Sequence, residues 1–74
     1  MQIIDRAFEL LELLSKSKEG CMISELSEKL DVPISSVHRL LSSLKKKNYI
    51  VQDPQTKRYK LELKVLNLAV NMLN

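Results

Sequence analysis

The residues with the chemistry to act on another molecule gather in two short stretches. The first holds Ser35, Ser36, His38, Arg39 and Ser42 and runs into three lysines, Lys45, Lys46 and Lys47. A hydroxyl both donates and accepts hydrogen bonds, a guanidinium offers a planar fork of donors, and an imidazole does either according to its protonation. No carboxylate occurs between Val32 and Gln52 to repel an anion. The second stretch is Lys57-Arg58, directly after the turn-forming residues Asp53-Pro54-Gln55-Thr56. Together these groups suit a polyanion. Serine and lysine bond phosphate oxygens, and arginine can grip the major-groove edge of guanine through two hydrogen bonds. The competing account is the ordinary hydrophilic outside of an amphipathic helix. Ser35, Ser36, Ser42 and Ser43 weigh against it, because serine forms helices less well than lysine or glutamate.

Other chemistries find little here. Cys21 and His38 are the single members of their kinds. One cysteine cannot close an internal disulfide, and a structural zinc site takes about four ligands. There is no glycine-rich phosphate loop, no carboxylate pair in a plausible pocket and no nucleophile with a base beside it. The expectation is a protein that is not an enzyme, with no catalytic residue, no metal site and no cofactor. Lone-cysteine usage fits a reducing, cytoplasmic setting. The N-terminus lacks the layout of a signal peptide, and no apolar run approaches the ~20 residues of a membrane helix. No membrane association is expected.

The elements that must position the two stretches follow from hydropathy spacing. The 74 residues are 45% hydrophobic and 28% charged, which is the composition of one small globular domain. Charge is unevenly spread: residues 1–31 hold four cations against seven carboxylates, and residues 32–74 hold eight against two. Ile4, Ala7, Phe8, Leu11 and Leu14 recur at helical spacing and predict a helix from about Ile4 to Ser17. Ile3, Leu10 and Leu13 carry apolar surface further round it, more than one small domain can cover. Lys18-Glu19-Gly20 ends that helix, and Cys21-Met22-Ile23 reads as a brief strand. Ser24 is the expected N-cap of a short helix, with Leu26 and Leu30 facing inward.

Pro33 then opens a helix from about Ile34 to Lys47, with an inward stripe of Val37, Leu40, Leu41 and Leu44. At ~100° per residue, Ser35, Arg39, Ser42 and Lys46 fall on the opposite face, with Ser36 and His38 beside it. Asn48 suits the left-handed conformation that often ends a helix. Tyr49–Gln52 and Arg58–Leu61 read as the strands of a hairpin about the turn at Asp53–Lys57. From about Glu62 the period is helical again, with Leu66, Ala69, Val70 and Leu73 on one stripe and Val65, Leu68 and Met72 on another. The expected fold class is α+β, mostly α. It is a winged helix-turn-helix, with a three-helix core, a short strand, a β-hairpin wing and a C-terminal helix.

Four segments carry a resemblance to a known family: Asp5–Leu14, Ile23–Leu30, Val32–Leu41 and Asp53–Leu61. In this order they resemble the N-terminal DNA-binding domain of the IclR family of bacterial and archaeal transcription regulators. The resemblance implies a recognition helix at about 34–47 in the major groove of double-stranded DNA. It implies a wing at 53–58 on the adjacent backbone or minor groove, and dimeric binding to a partly palindromic operator. The candidate DNA contacts are Ser35, Ser36, His38, Arg39, Ser42, Lys46, Lys57 and Arg58. Residues 1–61 would form the DNA-binding domain. Residues 62–74 would start a linker helix to a C-terminal domain, absent from this chain, that binds a small-molecule effector. A homodimer through the first and last helices is expected. The alternative is a winged-helix module for protein interaction or dimerisation without sequence-specific DNA binding. The family usually has glycine at the positions of Asp31, Asn48, Lys57 and Glu62. Ile3 stands where it often has a serine cap.

Overall fold

The computed structural model describes residues 2–73, apart from the side chains of Leu66 and Ala69. Six elements follow in order: α1 (Gln2–Ser15), α2 (Ile23–Leu30), α3 (Ile34–Lys46), β1 (Ile50–Gln52), β2 (Tyr59–Leu61) and α4 (Leu63–Leu73). The architecture is a winged helix-turn-helix. The strands β1 and β2 pair antiparallel with Ile50 opposite Leu61, Val51 opposite Lys60 and Gln52 opposite Tyr59.

Among the described residues, nine form the buried core: Leu10, Leu14, Cys21, Leu26, Leu30, Val37, Leu41, Ile50 and Tyr59. Each of α1, α2, α3 and the hairpin supplies at least one of them. In α1 the buried pair is Leu10 and Leu14, whereas Ile4 and Phe8 are exposed. The expected stripe therefore faces the core only at its C-terminal end. Both sides of α1 are apolar, so periodicity alone does not choose between them. The choice is made by α2 and β2, which pack against α1 and seat Leu10 and Leu14.

Helix ends differ from the sequence expectation in instructive ways. Instead of running from Ile4 to Ser17, α1 spans Gln2–Ser15. Its last turn is tightened by amides of Lys16 and Ser17 donating to the carbonyls of Leu13 and Leu14. Ser24 is not the N-cap of α2. Met22, in extended backbone, holds that position. Met22 has no side-chain oxygen to offer, and the cap is made in the other direction: Glu25 Oε1 accepts the Met22 amide at 2.9 Å. The expected strand at Cys21–Ile23 shrinks to one bridge, Cys21 opposite Tyr59. Ile23 already belongs to α2. Gly20 sits beneath this bridge with φ +88, and a Cβ there would stand 2.7 Å from the Tyr59 carbonyl oxygen. Glycine is required on both counts.

The two helices of the helix-turn-helix end alike. After α2 the Val32 amide donates to Ser27 O and the Asp31 amide to Glu28 O; after α3 the Tyr49 amide donates to Leu44 O and the Asn48 amide to Lys45 O. This pair of bonds needs one left-handed residue just past the helix. Asp31 and Asn48 provide it, with φ 56 and φ 65. The Ser27 hydroxyl also donates to Val32 O at 2.6 Å, which ties the turn shut. Pro33 caps α3, its carbonyl accepting the amides of Ser36 and Val37.

Candidate nucleic-acid interface

Burying Val37 and Leu41 fixes the rotation of α3 about its axis. Val37 is 0% and Leu41 1% exposed, with Leu40 and Leu44 half-buried beside them. The far side then carries Ser35, His38, Arg39, Ser42 and Lys46, all exposed. Ser36 is half-buried. It lines a cleft of about 430 Å3 between α3 and the N-terminal end of α1, and Arg39 lies at the same cleft. Five of the six α3 candidates are thus on the open surface, and Ser36 faces α1. Lys45, Lys46 and Lys47 are exposed at the C-terminal end, where positive charge also complements the helix dipole.

The hairpin loop is organised by Asp53. Its Oδ1 accepts the amides of Gln55 at 2.7 Å and Thr56 at 3.2 Å. Its own carbonyl accepts the Lys57 amide, and its amide donates to Arg58 O. The hydrogen bonds from Gln55 and Thr56, aided by the positive charge of Lys60, hold the Asp53 carboxyl below its ordinary pKa. The one carboxylate of the loop is therefore folded into the turn. Lys57 stands in left-handed backbone, φ 66, with an exposed side chain. Of the four positions where the resemblance implies glycine, three, Asp31, Asn48 and Lys57, carry positive φ here. The fourth, Glu62, does not: its amide donates to Tyr49 O and its carboxylate accepts the Leu63 amide at the start of α4.

The two cations of the wing part company. Lys57 points to solvent, but Arg58 turns back to the body of the domain. Arg58 Nη1 donates to Gly20 O at 3.0 Å and to Glu25 Oε1 at 3.2 Å. Neither Glu25 nor Gly20 was signalled as a functional residue by the sequence. Glu25 does stand three residues after the Met22 cap, the spacing of a capping box, but nothing local ties it to a residue 33 positions away. Lys64 likewise carries no local sequence signal. Its ammonium lies 4.8 Å from the centre of the Tyr49 ring and donates to Lys47 O at 2.9 Å, fastening the start of α4 to the end of α3.

Among the described residues, no group of His, Cys, Asp and Glu is placed to hold a metal ion. No helix among them is long and apolar enough to cross a membrane. A helix-turn-helix whose second helix offers a hydroxyl-rich, cationic face, beside a wing with an exposed lysine, defines a DNA-binding domain of the winged-helix class.

Comparison with known proteins makes the assignment narrower. Residues 3–54 match the IclR helix-turn-helix domain, and the chain belongs to that family of transcription-regulator domains. It is 33% identical over 68 residues to the transcriptional repressor AllR of Escherichia coli, covering 92% of this chain and 25% of AllR. It is 33% identical over 73 residues to the repressor YiaJ of the same organism, covering 99% of this chain and 26% of YiaJ. The chain therefore spans about a quarter of the length of these relatives. Among solved structures, an IclR transcriptional regulator from Alicyclobacillus acidocaldarius superposes with a TM-score of 0.90 at 27% identity, over 97% of this chain and 29% of that one. The IclR protein of Thermotoga maritima gives 0.86 at 25% identity, over 99% and 29%.

Proposed function

We propose that this domain binds double-stranded DNA sequence-specifically, as one half of a dimer on a partly palindromic operator. The observation that carries the reading is the outward face of α3. Ser35, His38, Arg39, Ser42 and Lys46 are exposed together, and no carboxylate lies between Val32 and Gln52. In this reading α3 enters the major groove. Arg39 makes the bidentate base contact, Ser35, His38 and Ser42 read or clamp nearby, and Ser36 supports them from the α1 side. Lys46 reaches phosphate. The wing lies over the adjacent backbone or minor groove, with Lys57 as its contact. Arg58 belongs to the wing in another capacity, turned back to the body of the domain.

Residues 1–61 form the DNA-binding unit in this proposal, and α4 begins a linker helix to an effector-binding domain. The relatives' greater length supports that division. Dimerisation through the first and last helices is supported by their exposed apolar side chains, among them Ile3 at 65%, Phe8 at 62% and Leu63 at 66% exposure. A regulator of chromosomal operators works in the cytoplasm. The test is binding selection from random duplex DNA. Recovery of a two-fold symmetric site supports both DNA reading and the dimer. The same apolar faces favour a second reading, a protein-interaction module. Absence of salt-sensitive binding to any duplex would decide for that module.

A further inference from the structure

We propose that Arg58 is a positioning residue for DNA binding, which locks the wing to the N-terminus of α2 and so sets where Lys57 stands relative to α3. This rests on the DNA-binding reading above. The geometry is specific. One guanidinium nitrogen, Nη1, bonds both Gly20 O and Glu25 Oε1, at 3.0 and 3.2 Å. The same Glu25 oxygen accepts the Met22 amide at the head of α2, at 2.9 Å. Next to this point the Cys21 and Tyr59 backbones exchange two hydrogen bonds, of 3.0 and 2.8 Å. Arg58 also closes the wing turn, since its carbonyl accepts the Asp53 amide and its amide donates to Thr56 Oγ1 at 3.2 Å. The residue that finishes the turn is thus the one clamped to the helical body.

From there the path to the recognition helix is short. Glu25 is in the first turn of α2, and α2 is tied to the start of α3 by the Ser27–Val32 bond. Arg58 and Glu25 are 33% and 42% exposed as side chains. A half-exposed ion pair adds little to stability. A guanidinium held by two acceptors in fixed directions nevertheless restricts orientation strongly. Lys57 and Arg58 therefore divide the work: the first meets the polyanion, and the second fixes the angle at which it does so.

The decisive variant is Glu25→Gln. It raises the net charge by one, keeps an oxygen for the Met22 amide, and loosens Arg58 by replacing its charge-assisted bond with a weaker neutral one. If Arg58 were a phosphate contact restrained by Glu25, releasing it would tighten DNA binding. If Arg58 positions the wing, Glu25→Gln weakens binding despite the added charge. Binding of this chain to a fluorescent mixed-sequence duplex, titrated with salt, reads the sign. Each variant is measured at a temperature where its melting curve shows it folded. The expected result is a loss of about three- to tenfold for Glu25→Gln and for Arg58→Ala, non-additive in the double variant, with the salt slope unchanged. Arg58→Lys keeps the charge but ends one atom short of Nη1 and lacks the planar geometry of its two N–H donors, and is expected to stay impaired. Amide exchange at Cys21 and Tyr59, measured without DNA, is expected to quicken in Arg58→Ala while α3 amides keep their protection. Tighter binding by Glu25→Gln, rescue by Arg58→Lys, a salt slope lower by about one in Arg58→Ala, or unchanged exchange at Cys21 and Tyr59 overturns the proposal. A wild-type chain without salt-sensitive binding overturns the DNA reading itself. Wild-type binding with the opposite sign for Glu25→Gln overturns only the role given to Arg58.

Discussion

Arg39 and Lys57 are both exposed cations, yet they are expected to fail differently when removed. Arg39 projects from the middle of the hydroxyl-rich face of α3. Its replacement by alanine should raise the dissociation constant by the equivalent of ~1–3 kcal/mol on the selected site and relax preference at a single base position. Competition with singly substituted duplexes checks this, and an unchanged base preference would remove Arg39 from the reading surface. Lys57 combines an exposed ammonium with φ 66. Left-handed backbone is unfavourable by about 1 kcal/mol for a side chain with a Cβ, and glycine relieves it. Lys57→Gly should therefore raise the melting temperature while weakening binding to all duplexes alike and flattening the salt slope. A variant both more stable and equally tight would deny Lys57 a place at the phosphate backbone.

At the scale of the element, the wing's loop depends on Asp53. Its carboxylate is favoured in the folded state by two amide hydrogen bonds, so its pKa lies below the ordinary 3.8. The folded value being the lower one, the contribution is present above pH ~4 and lost as pH falls through the folded pKa. Amide chemical shifts of Gln55 and Thr56 should be flat at neutral pH and should titrate together only below 3.8. A midpoint above that would contradict the turn geometry. The loop was legible in the sequence because its signals are local: Asp, Pro and the flanking alternation all lie within a few residues. The same holds for α3, where Val37, Leu41 and the serines fix one rotation. What could not be read is what the chain does at a distance. Ser24 had the right chemistry for an N-cap, but Met22 takes the position, and Glu25 supplies the oxygen from inside the helix. Arg58 looked like a tip cation because its destination, Gly20 and Glu25, lies across the fold. In α1 both faces were apolar, and only tertiary packing decided for Leu10.

For the whole molecule, the unevenness of burial matters most. The C-terminal part of α1 is sunk in the core, while Ile3, Ile4 and Phe8 are exposed at its other end, as are Leu63, Leu68 and Val70 in α4. A chain of 74 residues leaving this much apolar surface open is expected to dimerise. Sedimentation should show a dimer that Phe8→Glu dissociates. That variant should lose about 100-fold in affinity for a two-fold site and little for a half-site. A wild-type monomer at all concentrations would rule the interface out. The Cys21–Tyr59 bridge has a different kind of consequence. It joins residues 38 positions apart, next to Gly20 and Arg58, whereas the turn between α2 and α3 is made by near neighbours. Closing so long a loop is entropically costly before its contacts repay it. The helix-turn-helix can thus form early and locally during folding. The wing is then expected to dock last, when β2 reaches Cys21, and folding φ-values near zero at Tyr59 would show it.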